Sequence, residues 1–264
     1  MTTTVRPPAA THDPTAAKRL PMDSLRKTAL VAGVLYLITF AASIPAKFFL
    51  IEPVLANPDF MTRSGIDNPL LWGSFLDLIN ALACIGTAVA LFSVVKRQHE
   101  GFALGFVTTR VFEAAVIVIG VVSLLAVVTL RQDLAGAAGT DAAALATTGN
   151  ALAAIYGWTF LIGPGVMAGV NALLLGSLMY RSGIVPRVIP VMGLIGAPLL
   201  LASATAAFFG LHEVTSPTGM IATVPIFFWE LSLGIYMTVK GFKPSPITAT
   251  SVPAAPMRAA VPVV

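Results

Sequence analysis

The sequence predicts an all-α fold: a polytopic integral membrane bundle of six transmembrane helices with both termini cytoplasmic. Three observations predict it. Of 264 residues, 56% are hydrophobic and only 11% charged, and the mean hydropathy is +0.87. Soluble domains carry roughly a quarter charged residues, and a chain of this size cannot hide so much apolar surface from water. Six apolar runs each match a hydrocarbon core of about 30 Å, which takes roughly 20 helical residues to cross. Finally, the basic residues gather on alternate connections between the runs.

Residues 1–27 are rich in Thr, Ala and Pro and hold Arg6, Lys18, Arg19, Arg26 and Lys27. Nothing there can bury a core, so a disordered, basic cytoplasmic tail is expected. The first span, 28–51, is interrupted late by Pro45 and Lys47. Cleavage of this segment as a signal peptide near Ala42 to Ala46 is the rival reading; the long tail ahead and the apolar run beyond Lys47 argue against it. Lys47 lies near the far end of the span, where its amine is expected to snorkel to the headgroups. After a polar loop with Pro53, Pro58 and Pro69 comes the second span, 70–95, with Asp77 and Asn80 on one helical face.

A short basic turn, 96–100, leads into the third span, 102–130, which carries Arg110 and Glu113. Residues 131–149 are Ala- and Gly-rich, forming either a flexible loop or, after Asp141, a helical extension of the next span. The fourth span, 150–180, holds Gly163-Pro164-Gly165 and Asn171; the fifth, 188–211, holds Pro190 and Pro198; the sixth, 219–239, holds Pro225 and Glu230. Residues 244–264 are Pro/Ala-rich and are expected to form a disordered cytoplasmic tail. No run alternates like a barrel strand, and helices satisfy their own backbone hydrogen bonds, as lipid demands.

Orientation follows from counting. An inside amino terminus puts Arg6, Lys18, Arg19, Arg26, Lys27, Lys96, Arg97, Arg181, Arg187, Lys240, Lys243 and Arg258 on the cytoplasmic side, and only Arg63 and Arg131 outside. Twelve against two is a strong positive-inside bias, so both termini are expected to face the cytoplasm, in the plasma membrane.

Several function classes lose their parts. The net charge of +4 and pI near 9.5 come from helix ends, not from a basic patch interleaved with aromatics, so no nucleic-acid partner is expected. The expected partner is the lipid bilayer; a protein partner or small solute stays open. A single cysteine, Cys84, excludes an intrachain disulfide and a multi-cysteine metal site; in its apolar run it reads as a small core residue. His12, His99 and His212 fall in tails or loops, and there is no HExxH, GxSxG or GxxxxGK[ST]. An intramembrane metalloprotease, a rhomboid-type serine hydrolase and a P-loop ATPase thus lack their residues. No cofactor or metal is expected.

The candidate site is a buried polar cluster of Asp77, Asn80, Arg110, Glu113 and Glu230, with Asn171 a weaker candidate. A charge at bilayer depth costs at least ~2.5 kcal/mol even on lenient scales, so these side chains should face protein or water. From the helical rise, Asp77 lies roughly 10 Å and Glu230 roughly 16 Å below the outer boundary, with Arg110 roughly 12 Å above the inner one. Asp77, Arg110 and Glu230 therefore meet in one layer if spans two, three and six are neighbours. Two readings compete. In the favoured one, Arg110 pairs with Glu113 and clamps several helices through its five fixed donors. In the other, three carboxylates against one guanidinium leave an acidic excess that serves a proton, an ion or a head group, as in a transporter or channel. An intramembrane enzyme on a lipid-like substrate is a third reading, with no nucleophile-base pair behind it. A dry, fully paired cluster favours the first; a hydrated cavity reaching the charges favours the second; a cleft open to lipid with a carboxylate pair at its mouth favours the third.

An interhelical hydrogen bond explains Asn80 or Asn171 alone, and Thr108, Thr109 and Ser74 are expected to bond their own helix backbones. Pro164, Pro198 and Pro225 each remove a backbone donor and should kink their helices. Gly101-x-x-x-Gly105 and Gly165-x-x-x-Gly169 point to close helix packing within the chain.

Four segments carry a resemblance: RKTALVAGVLYLITFAASIPA (Arg26 to Ala46), GWTFLIGPG (Gly157 to Gly165), MYRSGIVPRVIPVMGLIGAPLL (Met179 to Leu200) and FWELSLGIYMTVKGF (Phe228 to Phe242). In this order they resemble a bacterial membrane-protein family known as domain of unknown function 4386, over roughly residues 26–243. The resemblance implies a multi-span helical membrane protein and no activity.

Overall fold

The computed structural model describes residues 24–63, 65–134 and 142–249. Six helices in it are long and apolar enough to cross a membrane: α1, Ser24–Leu55; α2, Asp67–Val95; α3, Glu100–Asp133; α4, Ala143–Ser182; α5, Val188–Phe208; and α6, Pro217–Val239. The described residues contain no strand. All six spans fall where the apolar runs place them, but several helices outlast their runs. A span ends where its apolar side chains end; a helix ends where its backbone hydrogen bonds do. Helix α1 thus begins at Ser24, inside the segment expected to be tail, and α4 at Ala143, so the helical extension after Asp141 is the form adopted. Residues 1–23 and 250–264 of the expected tails lie outside the described residues.

Helix ends follow local chemistry. Ser216 caps α6 by accepting the Gly219 N–H, with Pro217 at the first turn, where a missing donor costs nothing. Gly183, at φ 66°, stops α4 in the left-handed conformation and returns its N–H to the Met179 carbonyl. Arg26 closes the other end of α6 from a distance, with Nη1 donating to the Met237 carbonyl at 3.0 Å and Nη2 to that of Thr238 at 2.7 Å. Two helices are broken. Proline at 45 starts a π-helical turn, Pro45–Ile51, in α1, and Pro164 sits inside a second, Leu161–Met167, in α4. Helices α5 and α6 stay α-helical through Pro198 and Pro225.

Each helix packs against its neighbours in sequence, and α1 closes the ring against α6. The closure is tight at Gly33: a Cβ there would lie 2.6 Å from the Thr238 backbone nitrogen and 2.8 Å from the Gly234 carbonyl oxygen. Small residues there let the two backbones touch. Of the two glycine pairs singled out in the sequence, Gly169 meets the Leu201 side chain of α5 closely, whereas Gly105 and Gly165 make ordinary contacts.

We call the end of the bundle that holds Ser24 and Val239 the tail face, and the opposite end the far face. The core divides accordingly. One cluster, with Tyr36, Phe106, Met179 and Trp229, fills the tail-face half; another, with Phe60, Leu70, Leu124 and Tyr156, fills the far-face half. The buried polar layer lies between them. The outer surface shows Trp72, Val122, Ile195 and Ile221 to the surroundings, a coat suited to lipid.

Candidate binding site at the centre of the bundle

Helix α3 carries Arg110 and Glu113 one turn apart, both almost fully buried. The guanidinium donates from Nη1 to Glu113 Oε2 at 2.9 Å and from Nη2 to Glu230 Oε1 at 3.0 Å, so it reaches across the ring to α6. Its plane lies 5.2 Å from the Tyr36 ring of α1, a cation–π distance. Asn171 of α4 donates from Nδ2 to the same Glu113 oxygen at 2.7 Å, and Thr109 donates to Asn171 Oδ1 while also bonding the Gly105 carbonyl. Arg110 Nη1 also approaches Cys84 Sγ at 3.6 Å, and that thiol faces Asn80 Oδ1 at 3.8 Å. Four helices are tied through one guanidinium. The Arg110 Nε group is occluded and has no hydrogen-bond partner.

This network adjoins a cavity of about 180 Å³ with lining residues from all six helices. Besides Arg110, Glu113 and Glu230, the lining includes Lys47, Asp77, Asn80 and Tyr156. The layer anticipated from helical rise therefore exists, with one correction. Asp77 shares the cavity with Arg110 and Glu230 but does not bond the guanidinium; its one hydrogen bond among the described residues comes from the Tyr156 hydroxyl, to Oδ2, at 3.3 Å. Spans two and three are neighbours; span six is adjacent to neither, and Glu230 joins through side-chain reach alone.

Lys47 is the larger surprise. Rather than snorkelling outward, it is 7% exposed and turns in over the rings of Tyr156 and Phe160, 5.0 and 4.5 Å from their centroids. Its ammonium pairs with Glu52 at 2.6 Å. The π-helical turn rotates the residues after Pro45 toward α2 and the interior, a displacement that straight-helix counting does not give. Tyr156 carried no signal either, since its hydroxyl partner, Asp77, is two spans earlier in the sequence. Cys84 is buried as expected but sits inside the polar chain, and Thr109 does more than bond its own backbone. Ser74, expected to bond its helix, has no hydrogen-bond partner. Of the three prolines, Pro164 lines the cavity, while Pro198 and Pro225 do not. No three His, Cys, Asp or Glu side chains gather at metal-binding distance among the described residues.

Six apolar helices around a cavity that charged side chains enter define a multi-pass membrane protein with an internal chamber. The family model for DUF4386, a domain of unknown function, matches residues 31–241, and the chain belongs to that family. Neither a curated protein nor a solved structure matches it.

Proposed function

We propose that this protein is a small-solute-binding membrane protein of the carrier type, with the central cavity as its binding site. One observation carries the reading: Asp77 and Asn80 line the cavity, are 8% and 6% exposed, and lack the partners that a structural clamp supplies. A clamp accounts for Arg110, Glu113, Glu230 and Asn171, whose polar groups answer one another except at Arg110 Nε. It does not account for a carboxylate and a carboxamide turned toward open space, because burying unmatched polar groups is costly. The broken turns of α1 and α4 flank the cavity through Lys47 and Pro164, and irregular helix at mid-membrane is where carriers place their sites. The enzyme reading finds less support: Ser203 Oγ and His212 Nε2 do meet, at 3.3 Å, but neither lines the cavity.

The same proposal places the tail face in the cytoplasm and the protein in the plasma membrane, on the weight of twelve basic residues against two.

The test is access. Ile117, which lines the cavity, is replaced by cysteine in a Cys84→Ala background and exposed in membranes to a small cationic methanethiosulfonate reagent. Modification is expected. Unmodified Ile117→Cys, with Asp59→Cys on the far-face loop reacting normally, overturns the binding reading and leaves a dry clamp. Reagent added to one side at a time, with Asp59→Cys and Ser245→Cys, reads the orientation.

A further inference from the structure

We infer that the cavity takes the protonated amine of a single-chain organic cation, held by Asp77 and entering sideways between α1 and α6. The inference rests on the binding reading above and adds the ligand's chemistry and path.

Charge accounting selects the ligand class. Two basic groups and three carboxylates line the cavity. Arg110 is held by Glu113 at 2.9 Å and Glu230 at 3.0 Å. Lys47 is held by Glu52, which lies outside the lining, at 2.6 Å. Two negative charges are left over. One is shared by Glu113 and Glu230, both bonded by the guanidinium. The other is Asp77, which among the described residues has no basic nitrogen within ion-pair distance, feels Lys47 only at longer range, and is bonded by the Tyr156 hydroxyl alone. Its other oxygen and the Asn80 amide nitrogen have no partner of their own. A carboxylate this deep is matched by a charge of opposite sign that brings its own hydrogen-bond donors. An ammonium has three such donors and no acceptor. It can meet Asp77, and it also suits the carboxamide oxygen of Asn80 in place of the weak thiol contact. The chain shows that the chamber tolerates such a group, since the Lys47 ammonium already lies over the faces of Tyr156 and Phe160.

Shape selects the rest. A chamber of about 180 Å³ is close in size to an engineered cavity of about 150 Å³ that takes one benzene, too small for a two-chain lipid. It has a side opening. The backbones of α1 and α6 touch at Gly33 and Gly234, toward the tail face, and nearer the far face they part. There Pro45–Ile51 packs on α2, while α6 follows α5 through Gly196, against which Pro225 and Ile226 rest. Phe40 and Phe227, which both line the cavity, meet edge to face with ring centroids 5.3 Å apart and close the seam at their own level. Thr223 lines the cavity and is exposed, which puts the mouth of the chamber at this level of α6. An amine head on Asp77 with an alkyl tail leading past the Phe40–Phe227 pair toward Thr223 fills both the polar and the apolar parts of this space.

The experiment uses the purified full chain in nanodiscs. Hexylamine, hexanol and hexanoate serve as probes, read by thermal shift and by protection of Ile117→Cys, in the Cys84→Ala background, from the thiol reagent. Hexylamine is expected to raise the melting temperature and slow modification; hexanol and hexanoate should do neither to the same degree. Asp77→Asn, which keeps the shape and removes the charge, should weaken hexylamine binding at least about tenfold, a difference of roughly 1.4 kcal/mol. Thr223→Trp, which fills the gap without touching Asp77, should slow the onset of protection while leaving the final extent unchanged. Equal protection by all three probes, or full protection in Asp77→Asn, overturns the amine assignment. An unchanged onset in Thr223→Trp overturns the lateral path. If Ile117→Cys reacts in every case and no probe protects it, the ligand class falls and the binding reading survives; if it never reacts, both fall.

Discussion

Arg110 and Glu230 meet at 3.0 Å although their helices, α3 and α6, are not adjacent in the ring. The contact spans the middle of the bundle and makes one guanidinium common to both sides. Removing it strands two carboxylates at bilayer depth. Arg110→Ala is therefore expected to destabilise the protein by about 3–5 kcal/mol, the usual cost of breaking a buried pair from one side. Melting followed by size-exclusion in detergent checks this, and a wild-type profile would refute the clamp. Arg110→Lys should rescue only part, because one ammonium cannot present a planar fork to Glu113 and Glu230 together.

Asp77 should behave in the opposite way. Its carboxylate forms no ion pair and feels Lys47 only at longer range, so Asp77→Asn in the absence of ligand is expected to cost no more than its one hydrogen bond, ~0.5–1.5 kcal/mol. A loss as large as that of Arg110→Ala would mean that Asp77 belongs to the structural network.

Asn171 links α4 to the same carboxylate that holds Arg110, through Nδ2 at 2.7 Å from Glu113. Asn171→Leu is expected to cost ~1.5–3 kcal/mol, the range for losing a hydrogen bond to a charged group, since Glu113 Oε2 keeps its bond from Arg110. Combined with Arg110→Ala, the losses should fall short of their sum, since both act on Glu113. Strict additivity in the double mutant would argue against one network.

The α1–α6 closure depends on the missing side chain at Gly33. Gly33→Val places carbon against the Thr238 nitrogen and the Gly234 carbonyl, both backbone atoms that cannot swing away. Overpacking of this kind costs typically ~1–3 kcal/mol. A crosslinking assay between cysteines at Leu25 and Tyr236 should report a wider separation; unchanged crosslinking would show that the helices accommodate the branch.

On the far face, Arg131 of α3 binds Asp67 at 2.9 Å and the carbonyls of Phe60 and Arg63 at 2.7 and 2.6 Å. One side chain moors the α1–α2 connection. Arg131→Ala is expected to speed hydrogen exchange across residues 59–63 and expose the loop to protease, with little effect on exchange in α5. Equal protection in the variant would show that Phe60 and Met61, packed in the core, suffice.

The sequence disclosed the fold well because lipid imposes a simple rule, and long apolar runs separated by polar turns obey it. It also disclosed Arg110, Glu113 and Glu230, since a charge inside such a run is conspicuous. Arg110–Glu113 is local, three residues apart on one helix, and was legible. Glu230 could be placed by depth but not by direction. What stayed hidden depends on rotation and reach. The π-helical turn after Pro45 redirects Lys47, and no count of ordinary helical turns finds that. Tyr156 reads as an aromatic among apolar neighbours, and its bond to Asp77 exists only once α2 and α4 are packed. Arg131 reads as a loop charge until the loop folds over it.

The sixth span leaves the ribosome after the other five and supplies Arg110 of the third with its second carboxylate. While a chain is being made, Arg110 is in the membrane with Glu113 alone, and the gap that α6 will close is open along its whole length. Completion of the bundle is thus registered at its centre: a product truncated before residue 217 keeps every earlier span yet bears a half-answered cation facing lipid. Such a product differs from the finished protein in a way that membrane quality control can read, and it should be short-lived beside the full-length chain.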